Sequence, residues 1–144
     1  MQPSLQSPRL VLRPYELGDA GAVQKLAGDW QVADTTIAIP HPYPDGAAES
    51  WISGHAAAFD SRKEITFAVA SRETGELVGT VSLIDLNAKH SRAELGYWTG
   101  LPHWGKGYCT EAAERLVEFA RKDLQVTRLV GRCLARNPAS ARVM

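Results

Sequence analysis

The sequence has no excess of charge of either sign and no long hydrophobic run. Lys and Arg total 16, Asp and Glu total 16, and the formal net charge at pH 7 is +0. Proteins that bind nucleic acid usually carry more basic than acidic residues, so we expect no nucleic-acid partner. No stretch approaches the ~20 apolar residues of a membrane helix, and the first residues lack the apolar centre of a signal peptide. We therefore expect no membrane partner and a cytoplasmic location.

Cysteine and histidine are also scarce. The two cysteines, Cys109 and Cys133, lie far apart and form neither a metal-ligand pair nor a disulfide framework. Reduced thiols are expected. The four histidines show no i, i+4 pairing, so we expect no metal site. The 144 residues, of which 44% are hydrophobic, fit a single domain over 1–144 with its own core.

Periodicity predicts a mixed fold. Predicted strands cover 9–15, 65–71, 77–86, 91–98 and 126–135, and the second and third form a hairpin. Predicted helices cover 18–30 (with Asp19 as the cap), 47–60 (with Gly54 inside), 110–124, and a segment that starts at 137. This order predicts an α/β protein with a mixed sheet, helices packed on it, and a parallel strand–helix–strand unit over 91–135.

The last predicted helix has about two turns before the sequence ends, and a helix that short is marginal by itself. Asn137 suits its N-cap and Pro138 its first position. We expect the chain to be a fragment of a longer protein, or this helix to pack against a partner's surface, as in a homodimer.

A glycine-rich turn precedes the strongest helix, in the stretch GLPHWGKGYCTEA over residues 100–112. It nearly matches a nucleotide-hydrolase P-loop, but Gly107 stands where Ser or Thr must reach magnesium. It also lacks the third glycine of a dinucleotide fingerprint. A third interpretation fits better: N–H groups from Trp104 to Thr110 point to a pyrophosphate at the helix N-terminus. Gly105 and Gly107 allow close approach, and Lys106 adds positive charge.

These residues resemble the GNAT acyltransferases. The resemblance rests on AELGYW, LPHWGKGYCTEA and RNPASARVM, together with SPRLVLRPYELGDA near the start. It is closest to the branch that includes the ribosomal-protein alanine N-acetyltransferases. It implies a central mixed sheet with helices on both faces, incomplete at its C-terminal end, and acetyl-CoA as co-substrate. The implied cofactor contacts are Tyr97, Trp98, Thr99, Trp104, Gly105, Lys106, Gly107, Tyr108, Cys109, Thr110 and Asn137.

The sequence departs from the usual family pattern at three positions. Trp104 replaces the common Gln or Arg, Cys109 replaces Gly or Ala, and Met144 stands where many members have a tyrosine acid. Met144 cannot donate a proton, and the resemblance to this branch implies Ser140, three residues after Asn137, as the donor to the leaving thiolate. A local hydrogen bond near the helix start is the alternative role for Ser140.

Glu94 is the candidate base, because it lies on the strand beside the expected thioester and on the same face as Gly96 and Trp98. The alternative is an ion-paired strand carboxylate. We expect an N-acetyltransferase that acts on a primary amine. A non-catalytic acyl-CoA-binding or interaction domain and a P-loop hydrolase remain as alternatives. We expect Arg9 and Arg13 to be solvated charges.

Overall fold

The computed structural model describes residues 2–34, 39, 42–131 and 143. Within these residues, six strands form one sheet in the order β1 to β6. All neighbouring strands are antiparallel except β5 and β6, which are parallel. The strands are β1 Leu5–Gln6, β2 Leu10–Arg13, β3 Ile65–Ser71, β4 Leu77–Asn87, β5 Arg92–Thr99 and β6 Arg128–Gly131.

The helices of the described part are short, with one exception. They are α1 Ala20–Ala27, α2 Trp30–Asp34, α3 Ala47–Ser53, α4 His55–Asp60 and α5 Tyr108–Asp123. Helix α5 connects β5 to β6, which confirms the predicted parallel strand–helix–strand unit. The predicted mixed sheet with helices on it is likewise confirmed.

Two predicted helices are each divided at a glycine. The helix predicted over 18–30 is a 3-10 turn followed by α1, and it ends at Gly28 before α2 begins. A Cβ at Gly28 would lie 2.4 Å from the carbonyl oxygen of Gln24. The helix predicted over 47–60 is divided at Gly54 into α3 and α4.

Asp19 occupies the N-cap position of α1, as predicted, but its side chain makes no capping hydrogen bond to that helix. Its carboxylate accepts from both Nη atoms of Arg13 at 2.8 Å and from the N–H of Glu16 at 2.9 Å. The expectation that Arg13 is a solvated charge was therefore wrong. The hydrogen bond from Arg13 outweighs burial and lowers the pKa of Asp19. This pair fixes the turn that leads from β2 into α1.

One face of the sheet packs against α5. Alternate residues of β3 and β4 point to this face, and Leu116 and Phe119 of α5 cover them. Phe67 and Phe119 meet edge to face with ring centroids 5.9 Å apart. Burial of alternating strand residues under an amphipathic helix is the main source of stability here.

The opposite face packs against α1 and α3 with smaller side chains. Ala20, Val23 and Ala48 of the helices meet Ala68 and Leu77 of the sheet. This face also holds buried hydroxyl groups from three strand residues and one tyrosine: Thr66, Thr80, Ser82 and Tyr15.

The predicted strand boundaries are largely right. Strand β3 has the predicted bounds, and β4 and β5 differ by one residue at their ends. The short strand β1 was not predicted. The described part of β6 ends at Gly131, so the rest of the predicted strand lies outside the described residues, as does the predicted helix start at Asn137.

Candidate functional site

The glycine-rich turn joins the end of β5 to the start of α5. After a 3-10 turn at Leu101–His103, the chain reaches Gly105 with φ 76° and Gly107 with φ 78°. Both angles are left-handed, a conformation that favours glycine. Gly107 is the N-cap, so α5 begins two residues earlier than predicted, at Tyr108.

The N–H groups of residues 105–110 have no acceptor in the described part of the chain. The first intrahelical bond of α5 runs from the N–H of Glu111 to the carbonyl of Gly107, at 3.1 Å, and no side chain caps this end. A helix N-terminus carries a partial positive charge. Successive uncapped amides at such an end form a site for an anion.

The N–H of Trp104 is already engaged, although we expected it at the phosphate. It donates to the carbonyl of Leu101 at 3.1 Å. The indole Nε1 of Trp104 donates to the carbonyl of Thr99 at 2.7 Å. Trp104 therefore fastens the turn to the end of β5, and the amides open to a ligand begin at Gly105.

A charged cluster centred on Arg9, in the turn between β1 and β2, supports the glycine-rich turn. Arg9 donates through Nε to Glu111 at 2.7 Å and through Nη1 to the carbonyl of Lys106 at 2.9 Å. Its guanidinium lies 4.6 Å from the ring centroid of Tyr108. Ser7 and the backbone N–H of Arg9 also donate to Glu111. Arg9 is exposed, as expected of a solvated charge, but it also forms this ion pair with Glu111.

This cluster orients the peptide bond between Lys106 and Gly107. The C=O and N–H of a trans peptide point in opposite directions. Because Arg9 binds the carbonyl of Lys106, the N–H of Gly107 must point away from Arg9, towards the open side of the turn. Burial raises the pKa of Glu111, but hydrogen bonds from Ser7 and Arg9 outweigh it and lower that pKa overall.

Residues of β5 alternate between the two sheet faces. Tyr97 packs against the core under α5, and Trp98 packs on the opposite face. The described parallel pairing with β6 covers Arg92 to Leu95 of β5. The carbonyl of Thr99 accepts from Trp104, so one of its two lone pairs is used.

Glu94 lies half-buried on the face opposite α5. Its neighbours across the sheet are Ile84 on β4 and Val130 on β6. Gly96 follows on the same face, where a Cβ would lie 2.8 Å from Cδ1 of Ile84. The side chain of Ile84 occupies the space above this glycine, so a larger residue at position 96 would require Ile84 to move.

Cys109 is half-buried in the first turn of α5. Burial raises the pKa of its thiol, and a hydrogen bond with Thr99 only partly opposes this. A neutral thiol is a weak nucleophile, so this arrangement does not favour covalent catalysis at Cys109.

An aromatic group covers the Glu94 face near α3 and α4. The ring of Trp51 lies 5.0 Å from Tyr15 and 4.5 Å from His55. Both ring nitrogens of His55 are buried without a hydrogen-bond partner in the described part of the chain. This burial lowers the pKa of His55 to about 4. No local sequence pattern connects Tyr15 with Trp51 and His55, so this group could not be predicted.

Two expected site residues, Asn137 and Ser140, lie outside the described residues, as does Met144. Among the residues that are described, no helix is long and apolar enough to cross a membrane.

Comparison with known proteins agrees with this geometry. The acetyltransferase (GNAT) domain family matches residues 9–144. The chain therefore belongs to the GNAT acetyltransferases, as the sequence resemblance indicated.

Related proteins cover nearly the whole chain. An uncharacterized N-acetyltransferase of Bacillus subtilis, YoaA, is 29% identical over 144 residues, which are 100% of this chain and 81% of the relative. The ribosomal-protein-serine acetyltransferase of Escherichia coli is 31% identical over 68 residues, 47% of this chain and 38% of that protein.

Solved structures share the fold. The acetyltransferase of Agrobacterium tumefaciens has a TM-score of 0.81 at 25% identity, covering 99% of this chain and 81% of that one. The ribosomal L7/L12 alpha-N-protein acetyltransferase RimL, solved with coenzyme A, has a TM-score of 0.86 at 17% identity, covering 98% and 80%.

Proposed function

We propose that this protein transfers the acetyl group of acetyl-CoA directly to a primary amine, on a peptide N-terminus or a small molecule. The observation that carries the proposal is the run of amides from Gly105 to Thr110 that no described group uses. Membership of the GNAT family and relatives named N-acetyltransferases support the choice of the transferred group.

The pyrophosphate of acetyl-CoA would bind these amides, with the exposed Lys106 adding positive charge. The pantetheine arm would then follow β5 from Thr99 towards Glu94, using backbone groups of Tyr97 and Trp98. Coenzyme A or acetyl-CoA occupies two solved relatives of this fold, which supports the assignment. Asn137 is a further proposed contact to the cofactor.

The attacking amine must be neutral. At pH 7.4 an α-amine with a pKa near 7.7–8.0 loses under ~1 kcal/mol to deprotonation, whereas a lysine amine near 10.4 loses about 4 kcal/mol. A modest base is therefore enough for an N-terminal amine. Glu94 is our proposed base, and it can also hold the cationic amine before the proton leaves.

Ser140 is the proposed donor to the leaving thiolate, and this role stays a prediction. A backbone N–H near Tyr97 would polarise the thioester carbonyl in the manner of an oxyanion hole. We place the reaction in the cytoplasm, in line with the similarity to ribosomal-protein acetyltransferases.

The test is a calorimetric titration with acetyl-CoA, with ATP and magnesium as the control, followed by a panel of peptide and small-molecule amines. We expect saturable binding of acetyl-CoA alone, a raised melting temperature, and turnover of α-amines before lysine amines. Binding without turnover of any amine would instead indicate a non-catalytic acyl-CoA-binding domain. Binding of ATP with magnesium alone would contradict the proposal at its central motif.

A further inference from the structure

Two arginines lie side by side on the sheet face that carries Glu94. Arg92 begins β5, Arg128 begins β6, and the two are direct neighbours in the parallel pairing. Residues paired in this way point to the same face, and residues two apart on one strand also share a face. Arg92, Arg128 and Glu94 therefore belong to one surface of the sheet.

Neither guanidinium is neutralised by a described residue. The ion pairs among the described residues include neither Arg92 nor Arg128. Like charges directly opposite each other destabilise a sheet. An anion bound between the two guanidinium groups would remove this repulsion, so the pair favours an anionic ligand.

The two arginines line an open cleft of about 470 Å³. The other lining residues are Asn87 and His90, so every described lining residue is polar and none is acidic. The N–H of His90 donates to the side-chain oxygen of Asn87 at 3.1 Å, which fixes the turn between β4 and β5. A guanidinium presents paired donors that match the two oxygens of a carboxylate.

We propose that this cleft binds carboxylate groups of the acceptor, and that the preferred acceptor is a peptide with acidic residues just after its N-terminal amine. The inference rests on the proposed function, because it takes Glu94 as the position of the amine. The Cα atoms of Arg92 and Glu94 are about 7 Å apart at the rise of a strand. An extended peptide spans that distance in about two residues.

A nucleic-acid ligand fits this cleft less well. Phosphate backbones are bound by rows of cations, and the protein carries no net positive charge. Two adjacent guanidiniums suit one or two carboxylates better than a polyanion.

The experiment compares two peptides of one length, one with Glu at its second and third positions and one with Gln there. At saturating acetyl-CoA, kcat/KM should be about tenfold higher for the acidic peptide, since a charge-assisted hydrogen bond is worth roughly that ratio after solvent screening. The preference should disappear in the double variant Arg92→Gln, Arg128→Gln. The variant Arg121→Gln, at an exposed arginine of α5, should keep it. The KM for acetyl-CoA should stay the same in all of them.

Equal turnover of both peptides by the unaltered protein would overturn the inference, as would a preference that survives the double substitution. If no amine is acetylated, the proposed function fails, and the cleft is judged by calorimetric titration of the same two peptides. Binding of the acidic peptide that depends on both arginines would support the cleft assignment. Competition by a short RNA at the same charge concentration, as strong as by the acidic peptide, would contradict it.

Discussion

The two faces of the sheet are built from different side chains. The face under α5 is closed by large apolar groups, such as Phe67 and Leu116, which are fully buried. The opposite face carries alanines and buried hydroxyl groups, together with the half-buried Glu94 and with Gly96, whose missing side chain leaves room for Ile84. The first arrangement stabilises the sheet and anchors the helix whose N-terminus would bind phosphate. The second places polar residues on the side of the sheet proposed for the acceptor.

Substitution in the α5 face should have the largest effect on stability. Leu116→Ala removes a fully buried side chain and should lower the free energy of unfolding by about 2–5 kcal/mol. Val117→Ala, at the exposed neighbouring position, should change it by less than ~1 kcal/mol. Urea denaturation measures both. Similar losses from the two variants would show that α5 is not the main cover of this face.

Substitution on the opposite face should affect turnover and not the cofactor. Glu94→Gln should lower kcat by about 10²-fold, because the amine loses its base, while the Kd for acetyl-CoA stays the same. Glu114→Gln, at an exposed carboxylate of α5, is the matched control. A normal kcat in Glu94→Gln would assign Glu94 a structural role only.

Arg9 supports the turn that is proposed to bind acetyl-CoA. Its substitution should therefore change the KM for acetyl-CoA more than it changes kcat. Arg9→Met should raise the KM for acetyl-CoA about tenfold, since the turn loses the hydrogen bonds that the Arg9 side chain donates to Glu111 and to the carbonyl of Lys106. Arg9→Lys keeps the charge but not the planar fork, and should resemble Arg9→Met. S-acetylpantetheine lacks the pyrophosphate, so kcat/KM with this donor should not change. A matching loss with S-acetylpantetheine would mean that Arg9 acts on the fold as a whole.

The smallest expected effect concerns His55. Its pKa of about 4 in the folded state lies below the ordinary value of 6.5, so the unfolded chain binds more protons between these values. Stability should therefore fall as the pH falls from 6.5 to about 4. His55→Phe keeps a ring against Trp51 and should reduce this loss. Melting temperatures of both proteins at pH 7 and pH 5 give the comparison, and parallel declines would exclude His55 as a cause.

The sequence predicts the local features of the two sheet faces, such as strand bounds, better than the contacts between residues that are distant in sequence. Strands β3 and β4 alternate clearly and meet through a short turn, so their bounds could be predicted. The breaks at Gly28 and Gly54 could not be predicted, because a single glycine inside a helical pattern is often tolerated.

The glycine-rich turn at the start of α5 could also be predicted, because its glycines and the following helix are contiguous. The cluster that holds it could not, since Arg9 and Glu111 are 102 residues apart and no local pattern connects them. The pairing of Arg92 with Arg128 depends in the same way on the register of two strands that are separated by α5.

The alternation of β5 has a consequence for how such a protein can change over evolution. Odd positions from Ala93 to Tyr97 are tied to the core, whereas even positions from Arg92 to Gly96 face the proposed acceptor. Under the proposed function, a point substitution at Arg92 or Glu94 would alter substrate choice without disturbing the core, whereas a side chain at Gly96 would displace Ile84. Deletion of one residue would exchange the two sets at once. Single substitutions along this strand can therefore change the proposed acceptor, whereas insertions or deletions in the strand would disrupt the core.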